Sequence, residues 1–443
     1  MSTPHPAVEK SALRRAYVAS LSGTALEYYD FAAYSVAAAT IFGDLFFPSG
    51  DDLVGTMAAF STYAVGYLAR PVGGFVFGRL GDVIGRKKVL VYTLLLAGIA
   101  TFVIGLLPTH ASIGGMAAVL LVILRFAQGV AVGGEWGGAV LLSSEYGDPK
   151  RRGLWASAAQ IGPPAGTLLA NGVIALLGLL MTEAAFTAWG WRIAFLLSAV
   201  LVAFGLWIRL RLEETPVFKQ IARSEQRPEA PVSEVMSTER RALIAGMLVR
   251  VCPDVLYSLF TVFVLTYMVN ELGMSRGQGS AAVMIGSAVQ LGLMPLFGAL
   301  SDRMNRRKLY LYGTIAAVIW PFLFFPLVSG GSFLAVAAGI VVALVIHAAL
   351  YGPQAALITE QFSPRLRYTG SSLAYTLAGV IGGAPAPLIL TALLNWTNTW
   401  LIIAVYLVLT GVLTVVGLVL ARDPVSDDEV LAPVSEGEEE VLR

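Results

Sequence analysis

Apolar runs, broken by short polar or basic loops, recur along the whole chain. A helix of about 20 apolar residues crosses the ~30 Å hydrocarbon core of a bilayer, so each run predicts one membrane-spanning helix. Twelve are predicted, at 17–46, 53–77, 88–108, 113–143, 153–181, 190–211, 241–270, 279–300, 309–328, 332–357, 367–394 and 398–421. Several exceed the bilayer thickness and imply tilt or broken ends. One long polar connection interrupts the series, where Glu213-Glu214-Thr215-Pro216 opens a charged stretch. The organisation expected is a cytoplasmic tail at 1–16, a six-helix bundle at 17–211, a cytoplasmic linker at 212–240, a second six-helix bundle at 241–421 and a solvated acidic tail at 422–443.

Composition supports the same class. Of 443 residues, 56% are hydrophobic and 13% charged, against about 25% charged in soluble domains. This is an all-α, polytopic membrane protein whose first partner is the lipid bilayer. The net charge of +1 gives no reason to expect a nucleic-acid partner. Basic residues fall in alternate loops: Lys10 to Arg15, Arg79 to Lys88, Lys150 to Arg152, Arg209 to Arg241, Arg303 to Lys308, and Arg365 with Arg367. The opposite side carries only Arg192 and Arg276. The positive-inside rule then places both termini and the basic loops in the cytoplasm. The polar, basic first sixteen residues predict no cleaved signal peptide. The single cysteine, Cys252, allows neither an intramolecular disulfide nor a cysteine metal site.

The halves repeat each other. GRLGDVIGRKKVL (78–90) follows span 2 and GALSDRMNRRKLY (298–310) follows span 8, matching Gly78 with Gly298, Asp82 with Asp302 and Arg86 with Arg306. After span 4, Glu145 is followed by Pro149 and Arg152; after span 10, Glu360 is followed by Pro364 and Arg367 at the same spacing. Two such matches indicate a duplicated six-helix unit whose halves enclose a substrate site near the midplane. The 78–90 string resembles the loop between helices 2 and 3 of the major facilitator superfamily. ALEYYDFAAY (25–34), RFAQGVAVGGEWGGA (125–139), LEETPVFKQ (212–220) and YGPQAALITEQFSPRLRYTGSS (351–372) resemble its metabolite:proton symporter family, with Tyr28 where that family usually has tryptophan. The resemblance spans almost the whole chain. It implies the superfamily fold, residence in the bacterial inner membrane and uptake coupled to protons. Family members carry shikimate, α-ketoglutarate, citrate and proline or betaine; segments 125–172 and 351–387 look closest to the shikimate type.

Charged residues inside the spans mark the candidate site, because ionisable groups are costly in hydrocarbon and turn toward protein or water. Glu27 and Asp30 share one face of span 1, roughly 15 to 20 Å from its entry. Arg125 in span 4 and Arg250 in span 7, with Asp254 one turn on, reach a similar depth. The acids Glu27, Asp30 and Asp254 are candidates for proton coupling. Arg125 and Arg250 suit the carboxylate of an anionic or zwitterionic substrate. Tyr34, Gln160, Asn171, Tyr257, His347, Tyr351 and Gln354 could add hydrogen bonds, although such residues often only bond across helices. Asp82, Arg86, Glu145 and Arg152, with their counterparts Asp302, Arg306, Glu360 and Arg367, are candidates for a cytoplasmic gate. There Glu145 would pair with Arg152 and Glu360 with Arg367. Glu135, deeper in span 4, is expected to pair with Arg70 or Arg79 as gate or structure.

No phosphate loop, nucleophile with an adjacent base or metal-ligand cluster occurs, so no enzyme, cofactor or metal is expected and the proton gradient is the energy source. IGPPAG (161–166) partly resembles an antiporter motif of drug exporters, which keeps export of drugs or metabolites as an alternative, beside symport of a betaine or other zwitterion. A sensor that binds without turnover would usually carry a longer extension than the short acidic tail. Each chain is expected to hold a complete pathway and to work as a monomer.

Overall fold

The computed structural model describes residues 10–48, 52–223 and 228–425. The acidic tail from 426 onward and the first nine residues lie outside it. Twelve long helices follow one another: α1 (Lys10–Thr40), α2 (Asp52–Ile84), α3 (Arg86–Leu106), α4 (Met116–Tyr146), α5 (Pro149–Leu180), α6 (Phe186–Leu210), α7 (Arg240–Asn270), α8 (Arg276–Arg303), α9 (Arg306–Val328), α10 (Phe333–Thr359), α11 (Arg367–Thr397) and α12 (Leu401–Leu420). Among the described residues, ten helices are long and apolar enough to cross a membrane. α1 falls short because Ser20, Ser22, Thr24, Glu27 and Asp30 dilute its middle.

Several boundaries differ from the hydropathy reading. α1 starts at Lys10, inside the stretch expected to be a tail, and ends at Thr40, before a separate turn of helix at Phe42–Phe46. α2 continues to Ile84, because the charged residues after Phe77 prolong it beyond its apolar part. The linker holds two short helices, Pro216–Arg223 and Pro231–Thr238, each opened by a proline that fits a first helical turn. α5 breaks near Ile161: Pro163 and Pro164 have no N–H, so the carbonyls of Ala159 and Gln160 lose their helical donors. α7 and α11 contain wider turns of π type at Leu259–Phe263 and Gly379–Gly383.

Inside each half, large apolar residues fill the end away from the basic loops. Phe42, Phe46, Trp191 and Phe195 do so in the first half, and Phe260, Phe263, Phe324 and Phe325 in the second. Leu68, Phe75, Ile123, Leu179, Leu323 and Trp396 point outward, as a lipid-facing surface requires. α2 and α4 pack backbone to backbone: a Cβ on Gly129 would lie 2.1 Å from the Gly66 carbonyl, and one on Gly133 only 1.9 Å from that of Arg70. This small-residue contact brings α4 against Arg70. Gly85, at φ +109°, makes the tight turn from α2 to α3 that a side chain would strain. The halves meet chiefly through α2 with α11 and through α5 with α8 and α10.

Candidate functional site

A cavity of about 60 Å³ lies between the halves. The first half contributes Tyr28, Tyr67, Arg70 and the Pro163-Pro164 break; the second contributes Arg250, Asp254, Tyr257, His347 and Tyr351. Arg250 donates from Nε to the Asp254 carboxylate at 2.9 Å and from Nη1 to the Tyr375 carbonyl at 2.7 Å. Its charge is therefore balanced within its own half. Arg70 differs: 3% exposed, it stacks 3.8 Å over Tyr67 and 4.5 Å over Phe31. No carboxylate pairs with it among the described residues, and its Nε has no hydrogen-bond partner.

Aromatic groups close the cavity toward the basic loops. The Tyr375 hydroxyl lies 3.1 Å from that of Tyr28 and 3.3 Å from that of Tyr351, and its ring stacks on Trp136 at 4.0 Å. Beneath them Trp136 donates to Gln160, which in turn donates to the Tyr351 carbonyl, both at 2.9 Å. The floor thus ties α1, α4 and α5 to α10 and α11.

Behind the cavity, inside the first half, a buried chain of hydrogen bonds links two opposite charges. Arg125 donates to Gln128 at 2.8 Å, Gln128 donates to Thr101 at 2.6 Å, and Thr101 donates to Asp30 at 2.6 Å. Arg125 also stacks 3.8 Å over Tyr34 and 4.6 Å over Phe31, whose ring lies against Arg70 as well. Glu135 meets Arg209 of α6 and accepts from Thr93 at 2.6 Å.

At the basic end two matching latches join the halves. Asp82 accepts from the Thr369 N–H at 2.9 Å, the Thr369 hydroxyl at 2.7 Å and the Tyr368 N–H at 3.4 Å, capping the start of α11. Asp302 accepts from the N–H groups of Gly153 and Leu154 at 2.7 and 2.9 Å, where the α5 helix begins. A carboxylate at a helix N-terminus satisfies orphan donors and meets the positive end of the dipole. Arg86 lies 3.6 Å from both Asp82 and Glu145, and donates to Pro364 of the other half at 3.2 Å. Arg306 holds Asp302 and Glu360 in the same way. The chain following each half returns to its gate: Glu214 accepts from the Arg86 and Lys87 N–H groups, and Val425 donates to the Glu360 carbonyl at 2.8 Å.

The Major Facilitator Superfamily pattern matches residues 20–387, with a second match over 254–442. The chain belongs to the Major Facilitator Superfamily. It is 38% identical over 413 residues to the inner membrane metabolite transport protein YhjE of Escherichia coli K12, covering 92% of this chain and 93% of that one. To the shikimate transporter of the same organism it is 36% identical, covering 93% and 95% of the two chains. To its proline/betaine transporter it is 33% identical, covering 93% and 83%. The proton:xylose symporter XylE bound to 6-bromo-6-deoxy-D-glucose shares the fold with a TM-score of 0.72 at 16% identity, covering 93% and 95%. This superfamily member is a multi-pass membrane transporter of small metabolites and not an enzyme.

Within the superfamily fold the predicted residues separate into groups. Arg250, Asp254, Tyr257, His347 and Tyr351 line the central cavity. Glu27, Asp30, Arg125 and Tyr34 do not; they sit within the first half. Gln160 bridges the floor, half-buried Asn171 donates to Thr167 of its own helix, and His347 pairs with Gln290 at 2.8 Å. The buried Gln354 carboxamide makes no hydrogen bond among the described residues. Two expected pairings are replaced: Glu145 faces Arg86 in place of Arg152, and Glu360 faces Arg306 in place of Arg367. Each acid meets the arginine that starts the neighbouring helix, whereas Arg367 is turned to the carbonyls of Phe362 and Val425. Glu135 pairs with Arg209, because α6 brings that arginine against α4, and not with Arg70 or Arg79. Sequence reading missed Arg70, Tyr28, Tyr375, Thr101 and Gln128 as site residues; the available signal for Arg70 was an arginine inside span 2, before its apolar end at residue 77.

The latches make a first prediction. Asp82→Asn removes a charge that accepts three bonds, at a cost of about 1–3 kcal/mol, so the closed basic end should be populated roughly tenfold less. Ser372 packs against Gly78 and Gly137 of the other half, and Cys252 is fully buried. A cysteine at Ser372 should react with a polar maleimide about tenfold faster in the Asp82→Asn background. An unchanged rate would show that the latch does not hold this end shut.

Proposed function

We propose that this transporter imports a small organic acid, such as shikimate or another carboxylate, together with protons, by alternating access. The observation that carries the reading is Arg70: a buried guanidinium facing a cavity between the two halves that forms no ion pair among the described residues. An anion there would supply the missing charge, and the planar fork suits a carboxylate. The tyrosine walls offer hydroxyls for a substrate's ring substituents and flat faces for its apolar side. The 36% identity to a shikimate transporter supports this substrate class. Asp30, joined through Thr101 and Gln128 to Arg125, supplies a carboxylate whose protonation would alter an arginine, which is what coupling to a proton gradient needs. The basic loops then face the cytoplasm of a bacterial cell, the gradient is the energy source without any cofactor, and one chain suffices.

A zwitterion such as a betaine is the second reading. Asp254 beside the cavity and the surrounding aromatic faces could hold a cationic group while Arg70 takes the carboxylate. Proteoliposomes loaded with a pH dye separate the readings. Internal acidification when shikimate or protocatechuate is added outside, with none for glycine betaine, is expected. Acidification by glycine betaine alone favours the zwitterion, and labelled-substrate exchange without acidification by any compound removes proton symport.

A further inference from the structure

A second, much smaller cavity lies inside the first half, between α1, α3, α4 and α6. Its volume of about 10 Å³ is that of one water. Three carboxylates line it, those of Glu27, Asp30 and Glu135, and none of them lines the cavity between the halves. Two buried oxygens on its wall residues have no hydrogen-bond partner among the described residues: Oε2 of Glu27, a residue 6% exposed, and Oγ of Ser198, 1% exposed. Leaving such groups unbonded costs about 1–3 kcal/mol each, more when charged, so they call for a bridging water. Glu135 by contrast is saturated, held by Thr93 and by Arg209. Arg209 stands in the last turn of α6 and also donates to the Leu90 carbonyl, placing it between Glu135 and the basic end.

We propose that this cavity is a proton wire separate from the substrate path, in which Glu27 passes a proton through one water to Glu135 and Arg209 is the valve toward the basic end. The proposal rests on the proton-symport reading. The charged groups around the wire are Asp30 beside Glu27 on α1, Arg70 on α2, Arg125 on α4, Arg209 on α6 and Arg250 on α7; α3 contributes the hydroxyls of Thr93 and Thr101 and apolar residues. With Arg209 on Glu135 the acceptor is a carboxylate tied to a cation, and the wire is shut. When the halves rock and Arg209 withdraws, Glu27 gives its proton to the water and the water gives one of its own to Glu135. Glu27 is left ionised and Glu135 neutral. Glu135 then releases the proton to solvent at the basic end and takes Arg209 back, and Glu27 takes up the next proton from the outer side, so one proton crosses per cycle and no other bond changes. Substrate leaves separately, through the floor of Tyr28, Tyr351 and Tyr375 once the latches part.

The test compares substrate-driven acidification with exchange of labelled substrate, which needs no net proton movement, in proteoliposomes of the full chain. Glu135→Gln should lower acidification at least tenfold and keep exchange within about twofold. Ser198→Val, which fills the cavity and leaves the Glu135–Arg209 pair intact, should slow acidification severalfold with exchange again preserved. This second variant covers the case in which Glu135→Gln fails to fold. Wild-type acidification per substrate in both variants overturns the wire, and so does an equal loss of exchange and acidification, which would make these residues structural. If wild-type protein exchanges substrate without acidification, the symport reading itself is wrong and the wire falls with it.

Discussion

Arg70→Gln is expected to lower the initial rate of labelled shikimate uptake about a hundredfold at low substrate concentration, chiefly through a higher KM. Removing one partner of a buried, hydrogen-bonded charge pair costs about 2–5 kcal/mol, and about 3 kcal/mol corresponds to a factor near one hundred. Existing partners set Arg70 apart from the other two deep arginines. Arg250 already has the Asp254 carboxylate at 2.9 Å, and Arg125 is committed to Gln128 at 2.8 Å and lies outside the cavity lining. Arg70 has the faces of Tyr67 and Phe31, which favour a cation without neutralising it, and among the described residues Glu27 and Asp254 act on it without closing an ion pair. Arg70→Lys keeps the charge and loses the fork and the flat stack, so it should recover only part of the rate. Uptake by Arg70→Gln with an unchanged KM would move the carboxylate to Arg250 and show that Asp254 must release it first.

How much of this could be read from the sequence depended on whether a signal was local. Helix order and ten of the twelve spans follow from apolar length, which needs no knowledge of neighbours. The latches were visible as a repeat, because Asp82 and Asp302 hold the same place in two copies of one motif. Their partners were not, since Asp82 reaches Thr369 and Asp302 reaches Gly153 across the boundary between halves. Arg70 escaped notice for a related reason. Hydropathy ended span 2 at residue 77, which put Arg70 near a surface, but α2 runs on to Ile84, leaving Arg70 about 21 Å from that end at 1.5 Å per residue. By sequence alone Arg209 likewise belongs to the basic loop, whereas α6 places it, 1% exposed, against Glu135. Depth along a helix was legible only as far as the helix ends were, which lie seven residues beyond the apolar span at the start of α1 and the end of α2, whereas the direction of a side chain around the helix was not legible at all. That direction decides whether Glu27 and Asp30 face the substrate cavity or the interior of their own half.

The position of Asp30 in the interior, away from the substrate cavity, suggests how a proton could act without touching substrate. Thr101 has one hydroxyl proton and two acceptors in reach, the Asp30 carboxylate at 2.6 Å and the Ala97 carbonyl at 2.9 Å. An ionised Asp30 takes that proton and fixes the order of donors from Arg125 through Gln128 and Thr101. A protonated Asp30 becomes a donor itself, the hydroxyl turns to Ala97, and the Thr101 oxygen must then accept from Asp30 and Gln128 together, which shifts the Gln128 carboxamide. Arg125 would respond at the Phe31 ring, and Phe31 is also in contact with Arg70. Asp30→Asn is therefore expected to abolish accumulation against a gradient, by at least tenfold in steady-state level, while labelled-substrate exchange continues because the carboxylate anchor is intact. Thr101→Val should weaken accumulation in the same direction with Asp30 still able to bind a proton, and Arg125→Ala should stop uptake altogether. Acidification and accumulation at wild-type levels in Asp30→Asn would exclude Asp30 as the coupling group and leave Glu27 or Asp254 to carry that role.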